Sequence, residues 1–112
     1  MLQAVAGDLE RYMTLLSERQ KLVASNIANS DTPGYKTQDM DFRGEFDSAL
    51  EGQEPMVIEP EGLASKPDGN NVSLDREARL LAENDLRFSI ASNFARSELS
   101  SIKAAIQGGP SA

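Results

Sequence analysis

The 112-residue chain has no cysteine, no histidine and no tryptophan, and its aromatic residues number four Phe and two Tyr. Without cysteine there are no disulfides and no thiolate chemistry. Without histidine, the usual zinc sites and Ser-His-type nucleophilic triads are excluded. A chain this short, poor in large aromatic side chains, buries only a modest fraction of its surface when folded alone. Small single-core proteins usually add a disulfide, a metal or a partner subunit. Of these, oligomerisation is the one the composition leaves open. No stretch of about 18 apolar residues exists, so no membrane-spanning helix is expected. The start, Met1-Leu2-Gln3-Ala4-Val5-Ala6-Gly7-Asp8, lacks the basic flank and apolar stretch of a cleavable secretory signal. The expectation is a chain that is cytosolic or exported by a route needing no such signal.

Positive charge is also scarce. Eleven Lys and Arg oppose 18 Asp and Glu, for a net charge of −7. The basic residues are scattered, so no patch is expected to hold nucleic acid. Glycines are dispersed too, and neither phosphate-binding glycine pattern occurs. Asp39, Asp41, Glu45 and Asp47 lack the central Gly and terminal Glu of a calcium loop, and a solvated acidic loop is the better reading. No catalytic residue, metal site, cofactor or small-molecule substrate is assigned.

What is present is helical periodicity. Leu2, Val5, Leu9, Tyr12, Met13, Leu16, Val23 and Ile27 fall at three-and-four spacings, and Leu2, Leu9, Leu16 and Val23 sit seven apart. Asn29-Ser30-Asp31-Thr32 then runs into Pro33-Gly34, which stops the helix, and Thr32–Tyr35 reads as a type II turn. From Lys36 to Val72 the chain carries Pro55, Pro60, Pro67 and four glycines, with eight acids against one Arg between Asp39 and Glu61. Phe42–Leu50 reads as a short helix and Met56–Ile58 as a short strand. The rest of this middle is expected to be extended or mobile. Ser73 is a suitable N-cap, with Asp75 and Glu77 in the first turn of a second long helix. The expected fold is all-α: two long terminal helices packed as a coiled-coil-like antiparallel hairpin around a loop-rich middle. Its divisions are 1–34, 35–72, 73–107 and a flexible tail at 108–112, within one structural domain.

The second long helix is apolar on two sides. At about 100° per residue, Leu81, Phe88, Ala95, Leu99 and Ile102 make one stripe, and Leu86, Ile90 and Phe94 lie opposite. The second stripe is either covered by the middle segment or left for packing against neighbouring subunits, and Leu86, Ile90, Phe94, Leu99 and Ile102 are candidate subunit-packing residues. In an antiparallel hairpin Arg19 falls within a turn of Asp85. These two either pair across the seam and set its register, or each points to solvent.

The most specific segment is Ser25-Asn26-Ile27-Ala28-Asn29-Ser30-Asp31-Thr32-Pro33-Gly34-Tyr35. It resembles the S-N-I-A-N-x-x-T-P-G-Y signature of flagellar axial proteins, the family of rod, hook and hook-associated subunits. Asp39-Met40-Asp41-Phe42 and Asn70-Asn71-Val72-Ser73-Leu74-Asp75-Arg76-Glu77, followed by Leu81-Ala82-Glu83-Asn84, are similar to blocks of the proximal-rod branch, as is the small size. Ser73, Ala78 and Phe88 depart from that branch's usual acid, Met and Tyr. The resemblance implies a non-enzymatic subunit, exported by the flagellar type III apparatus without a cleaved signal and polymerised in the periplasm into a helical tube. Its implied partners are copies of itself, other rod proteins, the rod–export-gate adaptor and export-gate components. Ser25, Asn26, Ile27, Ala28, Asn29, Thr32, Pro33, Gly34 and Tyr35 are then an assembly motif, unless they only stop a helix and close a hairpin. Asn26 and Asn29 are expected to bond the last carbonyls of the helix, and Tyr35 to sit at a subunit boundary. The competing readings are another small rod or rod-adaptor subunit and a cytosolic type III export chaperone.

Overall fold

A computed structural model describes residues 2–108. They form three helices, α1 (Leu2–Ala28), α2 (Phe42–Leu50) and α3 (Leu74–Gly108). The described residues contain no strand, only an isolated antiparallel bridge between Asp39 and Ile58. The Met56–Ile58 strand expectation thus reduces to one bridged residue. The expected tail at 108–112 lies, beyond Gly108, outside the described residues.

α1 and α3 lie side by side, joined where the Asn84 amide donates to Gln20 Oε1 at 3.3 Å. Leu16, Ser17 and Gln20 share a cleft with Asn84, Asp85 and Phe88. Val5 and Leu9 line a groove with Leu99 and Ile102. The two helices therefore run in opposite directions, as the hairpin expectation requires. The molecule measures 70 × 26 × 17 Å, with a radius of gyration of 18.5 Å, against about 13 Å for a compact chain of this length. This is a rod-shaped molecule.

The ends of the elements follow from local chemistry. Ser73 caps α3: its hydroxyl accepts from Arg76 N at 3.2 Å, and its carbonyl takes the first helical bond, from Glu77 N at 3.0 Å. Asp41 caps α2, accepting from Gly44 N at 3.4 Å and, through its carbonyl, from Glu45 N at 2.7 Å. α2 is anchored by its aromatic residues. Phe42 and Phe46 each meet the Tyr12 ring edge-on at 5.6 Å, and the guanidinium groups of Arg19 and Arg87 lie 5.7 and 5.9 Å from the Phe42 centroid.

The inward row of α3 differs from expectation. Its buried residues are Glu77, Asn84 and Ala91, seven apart. The stripe expected to face α1 is largely outside: Leu81 and Phe88 are each 40% exposed and Leu99 is 53% exposed. The reason is angular. Phe88 and Leu99 lie about 40–60° round the helix from Asn84, so they border the seam and line an open groove of about 590 Å³ with Val5, Leu9 and Met13. Small Ala91 is the buried apolar residue of α3, Leu15, Leu16 and Val23 are those of α1, and Met40 and Val72 complete the buried apolar set.

Candidate functional site

Among the described residues, more polar than apolar ones are buried: Asn26, Thr37, Asp39, Asn70, Asn71, Glu77 and Asn84 against six apolar ones. Six of these seven polar residues gather where the end of α1, the strand-like segment 35–40 and the start of α3 meet. This junction brings the sequence's two specific motifs into contact.

The end of α1 is closed first by its own residues. Asn29 donates to Ser25 O from both its backbone N, at 3.0 Å, and its side-chain Nδ2, at 2.9 Å. Tyr35 N donates to Thr32 O at 3.2 Å, closing the turn in which Gly34 has a φ of 74°. A side chain is disfavoured there. The turn is then clamped from the second motif. Gly34 N donates to Asp68 O at 2.9 Å, and Gly69, itself at a φ of 87°, lies next to Gly34, where an added Cβ would stand in ordinary contact at 3.5 Å from Gly34 Cα. The Asn70 amide donates to Asn29 O and Thr32 O at 2.9 and 2.8 Å, adding a second bond to two turn carbonyls that already accept from Thr32 N and Tyr35 N.

Two asparagines act as surrogate backbone. Asn26 Nδ2 donates to Gln38 O at 2.8 Å while its Oδ1 accepts from Gln38 N at 3.0 Å. This is a correction to the expected capping role: Asn29 binds a terminal carbonyl of α1, but Asn26 reaches sideways to segment 35–40. Asn71 Oδ1 accepts from Thr37 N at 2.7 Å, Thr37 Oγ1 donates to Asn71 O at 3.2 Å, and Asn71 N donates to Tyr35 O. The half-buried Tyr35 ring sends its hydroxyl to Asn26 Oδ1 at 3.0 Å, with Ser25 Oγ at 3.3 Å. Tyr35 is thus tied within the chain. The motif's outward surface consists of Ile27, Ala28, Thr32, Pro33 and Gly34, all exposed.

Below this network sits a charged cluster. Asp39, 4% exposed, accepts from Arg19 Nε at 3.0 Å and Arg19 Nη2 at 3.1 Å, from Met40 N at 2.8 Å, and from Arg76. Arg76 also donates to Glu77 Oε1 at 2.8 Å. Two arginines and two carboxylates balance in charge. Burial pushes the Asp39 carboxyl up, but the Arg19, Met40 and Arg76 contacts outweigh it and hold the group below its ordinary value of 3.8. The expected Arg19–Asp85 pair is therefore replaced by Arg19–Asp39. Asp85 is exposed and makes no ion pair among the described residues. Helix-to-helix register arithmetic could not foresee this, because the partner arrives from the connecting segment.

Most positions of the second pair of motifs now have a physical role. In Asp39-Met40-Asp41-Phe42 the residues are, in order, charge hub, buried apolar, helix cap and aromatic anchor. In Asn70 to Glu77 they include two backbone clamps, the α3 cap and the hub's second arginine. Apart from the Ser73 cap and the Phe42 helix start, the sequence marked these residues only by resemblance, and no local signal joins Asp39 to Arg19, which lies nine residues before the end of α1. By contrast, Leu86, Ile90 and Phe94 stand 62%, 60% and 47% exposed along α3, far from the junction.

Comparison with known proteins agrees with this layout. A family profile described as "Flagella basal body rod protein" matches residues 13–36, the end of α1 and its turn. The chain is 30% identical to the flagellar basal body rod protein FlgB of Salmonella typhimurium (strain LT2), over 89% of this chain and 91% of the relative. The chain belongs to the FlgB family. The FlgB proteins of Proteus mirabilis (strain HI4320) and Escherichia coli (strain K12) are 28% and 26% identical to it, with the same coverage of both chains. The chain thus spans nearly the whole length of these relatives.

Proposed function

We propose that the chain is a structural subunit of the flagellar basal-body rod, in its proximal part, exported by the flagellar type III apparatus and polymerised into a helical tube between the export gate and the distal rod. The observation that carries this reading is unsatisfied surface. The accessible area is 7634 Å², against about 6,000 Å² for a globular monomer of 12.1 kDa. Much of the apolar part lies on α3, whose Leu86, Ile90 and Phe94 face away from α1. Burying each such side chain fully is worth about 1.5–3 kcal/mol, so covering them favours assembly strongly. Leu86, Ile90, Phe94, Leu99 and Ile102 are the subunit-packing residues, with Ile27, Ala28 and Pro33 adding the outward face of the turn. Side-by-side packing of such helices in a coiled-coil-like layer buries both stripes. Copies of the chain, other rod proteins, the adaptor and the export gate are the partners that this role implies.

Basal bodies purified from cells making the tagged chain are expected to contain it. Recovery only from the cytosol, bound to an export substrate, would instead mark a chaperone. Gly34→Val should strain the turn by about 1–3 kcal/mol and lower both basal-body incorporation and motility. A variant strain that swims normally would argue against the turn's part in assembly.

A further inference from the structure

Between α2 and α3 the segment Pro55–Pro60 presents three consecutive large apolar side chains, with Met56, Val57 and Ile58 at 67%, 52% and 40% exposure. It is held extended from one side only. Asp39 N donates to Ile58 O at 2.8 Å and Ile58 N donates to Asp39 O at 2.7 Å. A pair that exchanges both bonds turns the N–H and C=O groups of the flanking residues the other way. Those of Val57 and Glu59 therefore face outward, and neither residue's backbone makes a hydrogen bond among the described residues. Pro55 and Pro60 lack an N–H and limit the usable edge to residues 56–59.

We infer that residues 56–59 are a docking strand that adds to the exposed sheet edge of a different protein, one whose edge is apolar and flanked by Lys or Arg. Exposed edges with alternating side chains bind in this way, the main chain supplying affinity and the pockets specificity. Met56 and Ile58 share one face of the strand and are its anchors. The charge selects the partner. Glu51, Glu54, Glu59 and Glu61 are all exposed and make no ion pair among the described residues. A second copy would bring the same four acids against them, and like charges opposite each other in a ladder repel. Nor do its described residues include a strand that could serve as acceptor. The inference rests on the rod reading only in where the partner is sought.

The test places a benzophenone amino acid at Met56 and irradiates purified basal bodies. The expected adduct joins position 56 to another protein, at a strand with Lys or Arg within two residues. Val57→Pro removes one outward N–H without touching the Asp39–Ile58 bridge. It should leave the thermal midpoint of the purified chain unchanged and cut the adduct at least tenfold. Glu54→Lys with Glu59→Lys should cut it several-fold. An adduct only with a second copy, no adduct in basal bodies that contain the chain, or an adduct indifferent to Val57→Pro would overturn the inference. Absence of the unsubstituted chain from the basal bodies sinks the rod reading instead, so the two failures are told apart.

Discussion

The two ends of the hairpin are built on opposite principles. At the closed end, residues 25–40 and 68–77 bury Asn26, Thr37, Asp39, Asn70, Asn71 and Glu77, and nearly every polar atom finds a partner inside the chain. At the open end, α1 before Thr14 and α3 after Phe88 meet across an apolar groove that the chain leaves unfilled. Buried hydrogen bonds are directional and fix one arrangement, whereas exposed apolar stripes accept whichever complementary surface covers them. The closed end fixes the shape of the chain, while the open groove and the outer stripe of α3 leave apolar surface uncovered. Stability of the lone chain should therefore respond to the closed end, and assembly to that uncovered surface.

The largest effect expected is from Asp39→Ala. It strands the guanidinium groups of Arg19 and Arg76, which are 15% and 19% exposed, and breaking such a pair costs about 3–5 kcal/mol. Denaturant unfolding followed by circular dichroism measures it. A loss under 1 kcal/mol would mean that the charged cluster does not hold the closed end together.

The same carboxylate gives a pH signature. Its folded pKa lies below the ordinary 3.8, so its contribution is fully present above that value. It is lost as pH falls through the lower, folded value. The stability gap between the unsubstituted chain and Asp39→Asn should be flat above pH 3.8 and narrow below it. A gap that instead opens or closes near neutral pH would assign the titration to some other group.

A smaller change, of opposite sign, is expected at the seam. Asn84 Oδ1 and Glu77 Oε2 are buried without a hydrogen-bond partner. Asn84→Leu replaces an unsatisfied amide with an apolar side chain of similar size and should stabilise the chain by about 1 kcal/mol. Destabilisation would show that the Gln20–Asn84 bond outweighs the unpaired oxygen.

The smallest effect per site on the lone chain, and the sharpest contrast, comes from Leu86→Ser, Ile90→Ser and Phe94→Ser combined. Each residue is already well exposed, so unfolding free energy should change by no more than about 0.5 kcal/mol per site, while incorporation into basal bodies is abolished. If the triple variant assembles normally, the outer stripe is not a subunit contact. If it fails to fold, the division between the two ends is wrong.

Heptad spacing, the Pro33-Gly34 stop and the Ser73 cap placed both long helices and the turn before any coordinates, because these signals act within a few residues along the chain. That the middle segment leaves Leu86, Ile90 and Phe94 uncovered was decided by the structure, whereas their lying on a second apolar stripe was also legible. The partner of Arg19 was not. Asp85 lies at the right height on the opposite helix, but Asp39 arrives from the connecting segment, whose path no helical period encodes. Periodicity likewise misjudged which row of α3 turns inward. An apolar count favours Phe88 and Leu99, whereas the packed molecule turns in Glu77 and Asn84, each with one polar atom bonded to a neighbour and one left unpaired, and the small Ala91.

By itself, then, the sequence determined what short-range forces decide: the helices, their caps, the turn and the surplus of apolar surface. Only the tertiary structure decided that two motifs more than 30 residues apart clamp each other through asparagine side chains, and that Asp39 gathers two arginines. Those contacts join distant parts of the chain, and their worth depends on a burial that exists only once the whole junction has closed.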